Sequence, residues 1–245
     1  MLKKYCDIIK FLYWNFRFIF PPKELFLKNE IYLNGKRIYK LKNNNIRINI
    51  KGENNIIKLN NIIGGGKVVI DLNASRNCKI EFGRNNSISD WAVIRIKSYP
   101  HSGCEFQEGC LYIGNNNHFN GEIKFTVADS KDAPIIIGDN NLFAPRIEFK
   151  AVSDHLIYDN ITKKQINIEK GIYIGNHNWL CEKTTFLNKA VIGSNCVVGM
   201  MSLVNKNLCE DNCIIAGIPA NIRKKGINWN VSVNPQTVDQ PQKIC

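Results

Sequence analysis

A chain of 245 residues has room for one solenoid or two small domains, and this one carries a formal net charge of +12 and nine cysteines. The cysteines are an odd number with no C-x-x-C pair, and no Cys/His cluster has ligand spacing. A disulfide framework and a zinc site are therefore set aside, no metal is expected, and the thiols read as reduced packing residues. The charge is concentrated at the ends, with a net +8 in residues 1–50 and near balance over 51–220; no helix-turn-helix, zinc-finger or aromatic-basic strand motif accompanies it, which argues against nucleic acid.

In chain order the first feature is Tyr5 to Phe20, dense in apolar and aromatic groups such as Ile8, Phe11, Trp14, Phe16 and Phe18. With Asp7, Lys10 and Arg17 inside it, the segment is too short and too charged to span a bilayer, and no small-residue cleavage site precedes Pro21-Pro22. It is predicted as a short helix with two open uses: capping the open end of a solenoid, or lying in a membrane interface as a peripheral contact. The proline pair would end it, and residues 25–50 read as irregular strands leading into the first coil.

From Lys51 one phrase recurs, Gly-x-Asn-Asn-x-apolar, at Gly52 to Ile57, Gly83 to Ile88, Gly114 to Phe119 and Gly138 to Phe143, with weaker copies at Gly175 to Leu180, Gly193 to Val198 and Glu210 to Ile215. Around it apolar residues return every six: Ile174, Leu180, Phe186, Ile192, Val198, Val204. Two places before each of the last five stands a short side chain: Asn178, Thr184, Ala190, Cys196, Ser202. A period of six is neither helical nor that of a simple strand. It fits a coil that turns a corner every six residues, the large residue inside and the small one at the corner, with Gly and Asn supplying unusual backbone angles. Three sides make a triangular turn, and stacked turns bury one continuous core. The expected layout is an N-terminal segment 1–24, an all-β solenoid over 25–220 with a loop insertion at 150–171, and a basic tail 221–245.

Three features make the stretch from Gly171 to Arg223 resemble the hexapeptide-repeat acyltransferases, which fold as left-handed parallel β-helices. They are the six-residue series, the pair Ile174-Gly175 followed by Trp179-Leu180, and the closing phrase Ala216-Gly217-Ile218-Pro219-Ala220 with basic residues after it. The left hand is a property of the family, since parallel crossovers are otherwise right-handed. The segment Val152 to Asp159 is similar to the one in which the family's sugar O-acetyltransferases, including those acting on bacterial surface polysaccharides and sialic acids, place a catalytic histidine. The resemblance therefore implies His155 as general base toward a sugar hydroxyl, with acetyl-CoA as donor. It also implies Trp179 beside the acceptor and thioester, and a homotrimer with sites between subunits.

For the coenzyme the resemblance points to Met200, Ala216, Gly217 and Pro219 along the pantetheine arm, with Lys206, Arg223, Lys224 and Lys225 toward phosphates. Asp154, Tyr158 and His101 are candidates for the carbohydrate acceptor. The chain departs from the family pattern at Cys181, where glycine is usual, and at Gly199-Met200-Met201-Ser202, where smaller residues are usual; bulky methionines there either narrow the coenzyme channel or line it. The expected activity is acetyl transfer to a hydroxyl of a bacterial surface polysaccharide, capsule or lipooligosaccharide, in the cytoplasm or at the inner face of its membrane, with an acidic glycan such as polysialic acid suggested by the basic ends. Two other readings stay open: N-acetylation of a nucleotide-linked amino sugar, though no G-x-G-x-x-G occurs in residues 1–50, and a non-catalytic scaffold.

Overall fold

The computed structural model describes residues 23–41, 43–98, 106–128, 130–153 and 155–231. The aromatic segment before Pro21-Pro22 lies outside them. Among the described residues no helix is long and apolar enough to cross a membrane.

Strands fall into three sheets that the chain visits in rotation. In one middle turn, Ile135–Ile137 lies in the first sheet, Leu142–Phe143 in the second and Ile147–Lys150 in the third. Each strand pairs in parallel with its counterpart one turn away: Ile135 with Ile172, Phe143 with Leu180, Phe149 with Phe186. The result is a left-handed parallel β-helix of triangular section. Inward residues stack in files. Phe119 lies on Phe143 with ring centroids 4.4 Å apart, and Phe125, Phe149 and Phe186 follow one another at 4.8 and 4.7 Å. Such offset stacks add to the burial that holds the core. The predicted six-residue series is inward throughout, and the short residues two places before, from Asn178 to Ser202, are buried with it.

The corner between the first and second sheets explains the repeated phrase residue by residue. The second residue reaches along the prism: the Arg84, Asn115, Asp139, Asn176 and Ser194 amides donate to the side-chain oxygens of Asn115, Asp139, Asn176, Ser194 and Asp211 one turn on, at 2.6 to 3.0 Å. The third takes the left-handed backbone conformation that Asn tolerates best after Gly, at Asn85, Asn116, Asn140, Asn195 and Asn212, and at His177; Asn54, in the first copy of the phrase, adopts it at the corner between the third and first sheets. The fourth is fully buried and accepts the amide of its counterpart in the next turn: Asn86 from Asn117, Asn117 from Asn141, Asn141 from Asn178, Asn178 from Cys196. Each of these buried asparagines thus finds partners, which is what makes an Asn file tolerable in an apolar core. The glycine works differently from the expectation. A Cβ on Gly114 would sit 2.7 Å from the Gly138 carbonyl, and its φ is not positive, so glycine is needed for close stacking of turns while asparagine supplies the unusual angle.

Both ends of the prism close with an antiparallel strand. Lys36–Arg37 folds back on Glu30–Leu33 through Asn34 and Gly35, both at positive φ, and Ala220–Lys225 folds back on Cys213–Gly217. The charge at the ends thereby has a structural use, since Lys36, Arg37, Arg223, Lys224 and Lys225 stand on edge strands, where cationic side chains discourage edge-to-edge pairing. A six-residue helix, Lys23–Lys28, follows the proline pair and buries Leu25 and Phe26 over the first turn. Residues 25–50 are therefore helix first and strands after. At the other end, residues 221–225 belong to a strand rather than to a tail.

Candidate functional site

The long insertion leaves the corner between the third and first sheets, immediately after Ile147–Lys150. Ala151 and Val152 are buried, the Ser153 amide donates to Glu169 Oε1 at 2.7 Å, and His155 is exposed two residues farther along. The backbone carbonyl of His155 accepts Asn167 Nδ2 at 2.7 Å, so the insertion's two limbs clasp at the histidine. Beyond it they form a narrow hairpin: Ile157 and Ile166 share a backbone bond, and Tyr158 bridges Gln165. Asp159 ties the tip, accepting the Ile161 and Thr162 amides and the Thr162 hydroxyl; the Thr162 bonds hold its carboxyl below the usual aspartate range. Leu156, Ile157, Tyr158 and Ile161 are exposed on this hairpin. Asp154 and His101 lie outside the described residues.

Trp179 stands on the second sheet, between Leu142 and Val197, with Leu180 buried behind it. It faces outward, as its place before an inward leucine predicts, with 39% of its surface exposed. In a three-sided coil the second sheet is opposite the corner that carries His155. Val152 is buried only three residues before His155, which limits the histidine's reach to roughly 10 Å from that corner. One chain therefore does not bring His155 and Trp179 together.

Of the residues proposed for the coenzyme, Met200, Ala216, Gly217 and Pro219 lie at the corner between the second and third sheets in the last turns, while Lys206 stands at the next corner, between Leu203–Val204 of the third sheet and Asn207–Leu208 of the first. The Gly199 amide donates to the Ile215 carbonyl, and a Cβ on Gly199 would meet Ala216 Cβ at 3.1 Å. The buried Ser202 hydroxyl joins the two corners, donating to the Gly199 carbonyl at 2.6 Å and accepting the Gly217 amide at 3.2 Å. Met200, Met201 and Ile218 project from this ridge and are more than half exposed. Pro219 follows a cis peptide bond at its edge. Arg223 Nε donates to the Ala216 carbonyl at 3.0 Å, Lys206 Nζ to Asn221 Oδ1 at 2.6 Å, and Lys224 pairs in register with Ile214. Lys225 is engaged by Glu210 at 2.8 Å.

Burial pushes the thiols of Cys181 and Cys196 up to about 11 and that of Cys78 higher still, so the thiolate a nucleophile requires is suppressed. The residue that sequence reasoning missed is Trp229. Its ring stacks on His177 and lies beside Trp179. It falls after the repeat, where no periodicity marks it; the one available signal was His177, the position where the Asn series is broken.

No family model matches the chain. The galactoside O-acetyltransferase of Escherichia coli (strain K12) is 30% identical over 159 residues, spanning 64% of this chain and 75% of that enzyme. Among solved structures, the polysialic acid O-acetyltransferase OatWY superposes with a TM-score of 0.53 at 24% identity, covering 87% of this chain and 95% of that one. The polySia-specific acetyltransferase NeuO does so with a TM-score of 0.52 at 22% identity, covering 85% and 80%. These two speak for the fold. The sequence match over three quarters of the galactoside enzyme goes further: the chain belongs to the hexapeptide-repeat acetyltransferase family, and it is an O-acetyltransferase.

Proposed function

We propose that the enzyme transfers acetyl from acetyl-CoA directly to a hydroxyl of a bacterial surface polysaccharide, with His155 as general base. The observation that carries this reading is the place of His155: exposed, held by its own carbonyl at the mouth of the longest insertion, one residue type in a loop otherwise lacking an acid-base group suited to neutral pH. Its neutral imidazole takes the proton of the attacking hydroxyl and returns it to the departing thiolate of coenzyme A. Tyr158, Asp154 and His101 are the acceptor-side candidates. On the donor side, Met200, Ala216, Gly217 and Pro219 offer a low ridge of exposed backbone and apolar side chains, and Lys206, Arg223 and Lys224 offer cations to phosphates.

Since His155 and Trp179 lie on opposite sides of one prism, a shared site requires two copies, which supports a homotrimer with the histidine of one subunit facing the tryptophan of the next. An acidic acceptor such as polysialic acid suits the cationic ends and is the acceptor named for two structural neighbours; the edge-strand use of those cations competes with it. Coenzyme A release from acetyl-CoA, measured with sialylated, other acidic and neutral glycans, tests the whole reading. Release should depend on the glycan and fall by about 10²–10⁴-fold in His155→Ala. Undiminished release in that variant would remove the histidine from the mechanism, and equal activity on neutral glycans would remove the acidic acceptor.

A further inference from the structure

The chain does not leave the prism after its last strand. Ala220–Lys225 ends at Gly226, whose positive φ of 68° turns the backbone, and residues 227–231 run back along the corner between the first and second sheets. The Ile227 amide donates to the Asn212 carbonyl at 2.9 Å. Two turns farther back, the Trp229 indole lies flat on the His177 imidazole, centroids 4.6 Å apart and planes 13° apart, while its Nε1–H donates to the His177 carbonyl at 2.8 Å. His177 is itself fixed, its Nδ1 bonded to Asn195 Oδ1 at 2.9 Å and its amide to the Asp139 carbonyl. A ring contact and a directed hydrogen bond to the same residue leave the indole one orientation, and in that orientation it lies 6.1 Å from the Trp179 ring at 39°.

The sequence is irregular at the same place. The left-handed position at this corner is Asn at 61, 85, 116, 140, 195 and 212, and His only at 177, the one turn on which a strap tryptophan lands. Histidine tolerates that conformation and, unlike asparagine, offers a flat ring.

From this we infer that Trp229, seated on His177, is a positioning residue that sets the orientation of Trp179 on the outer face of the second sheet. The inference rests on the proposed role of Trp179 as a site residue. On its sheet Trp179 is flanked by Leu142 and Val197, and Trp229 adds an aromatic neighbour from the same chain. The strap then couples the closing segment of the chain to the acetyl-transfer site without touching the reacting atoms.

The test uses the full-length enzyme and four variants: Trp179→Ala, Trp229→Ala, His177→Asn and the Trp179→Ala/Trp229→Ala double. His177→Asn restores the residue of the other turns, removing the stacking ring and its bond to Asn195 while keeping the carbonyl that accepts the indole, so it keeps the question open should Trp229→Ala fail to fold. The exciton couplet that two neighbouring indoles give in far-ultraviolet circular dichroism should vanish in Trp229→Ala and weaken in His177→Asn. kcat should fall by about tenfold or more in both, with the KM for acetyl-CoA much less affected, and the double variant should be no worse than Trp179→Ala alone. Loss of the couplet with full kcat, or additive losses in the double variant, overturns the inference while leaving Trp179 in the site. Full kcat in Trp179→Ala overturns the site reading and the inference with it.

Discussion

Two corners of the same prism have been put to opposite uses. Between the first and second sheets, turn after turn repeats a four-residue phrase with few changes, and side chains bond backbone from one turn to the next: Asn117 to Asn141, Asn141 to Asn178, Asn178 to Cys196. Between the third and first sheets the chain leaves after Lys150 and returns only at Ile172; the hairpin from His155 to Asn167 is bonded within itself, and only the return, at Ile168, Lys170 and Gly171, is tied to Asn188 and Lys189 of the next turn. The first corner cannot admit an extra residue without orphaning buried donors. The second can, because the hairpin between its two anchored ends makes its bonds within itself. The excursion that carries His155, the proposed base, leaves from that corner, and loops on a rigid scaffold commonly carry the functional side chains.

The sharpest way to break this contrast is to insert two glycines at each corner. Between Asn140 and Asn141 they should unseat the buried file, with two or more orphaned groups at about 1–3 kcal/mol each, and lower the thermal midpoint steeply. Between Lys163 and Lys164, at the hairpin tip, they should cost under about 1 kcal/mol. Comparable midpoints for the two insertions would dissolve the distinction. A smaller cut at the first corner is Asn141→Ala, which leaves the buried Asn178 amide without its acceptor and should destabilise by about 1–3 kcal/mol in denaturant unfolding. Smaller again is Asn140→Ala, which keeps the buried file but puts alanine, without asparagine's local polar side chain, at a φ of 59°; a loss of about 1 kcal/mol is expected, with Asn140→Gly losing less.

The smallest effect belongs to the second corner. The bonds from Thr162 and Ile161 lower the folded carboxyl of Asp159 below its ordinary 3.8, so their support for the hairpin tip is fully present above that value and is lost as pH falls through the lower folded one. The Ile161 and Thr162 amide resonances, followed by titration, should shift in that acid window and nowhere near neutrality. A midpoint at or above the ordinary value would show that the tip is not held this way.

How much of this was legible in the chain divides along the same line. The inward series from Ile174 to Val204 and the buried short residues could be read because each side chain's burial repeats with the coil. The roles of Gly and Asn within the phrase could not be separated, because both residues favour unusual angles, and only the 2.7 Å that a Cβ on Gly114 would leave to the Gly138 carbonyl shows that glycine answers to space. His155 and Trp179 were visible as residues but not as neighbours or strangers, since their separation depends on which side of a triangle each occupies. Trp229 was hidden by its position beyond the repeat. The helix Lys23–Lys28 was missed because six residues are too few for a periodic signal, and its two buried side chains answer to the first turn of the prism rather than to local preference.

The central claim is that the working site lies between copies, the free corner of one facing the second sheet of another. Mixing His155→Ala and Trp179→Ala proteins, each impaired alone, and letting their subunits exchange tests it directly. The account predicts that coenzyme A release recovers in the mixture, because some interfaces then pair an intact His155 with an intact Trp179. If subunits demonstrably exchange and no activity returns, the two residues do not share a site across an interface, and the account is wrong at its centre.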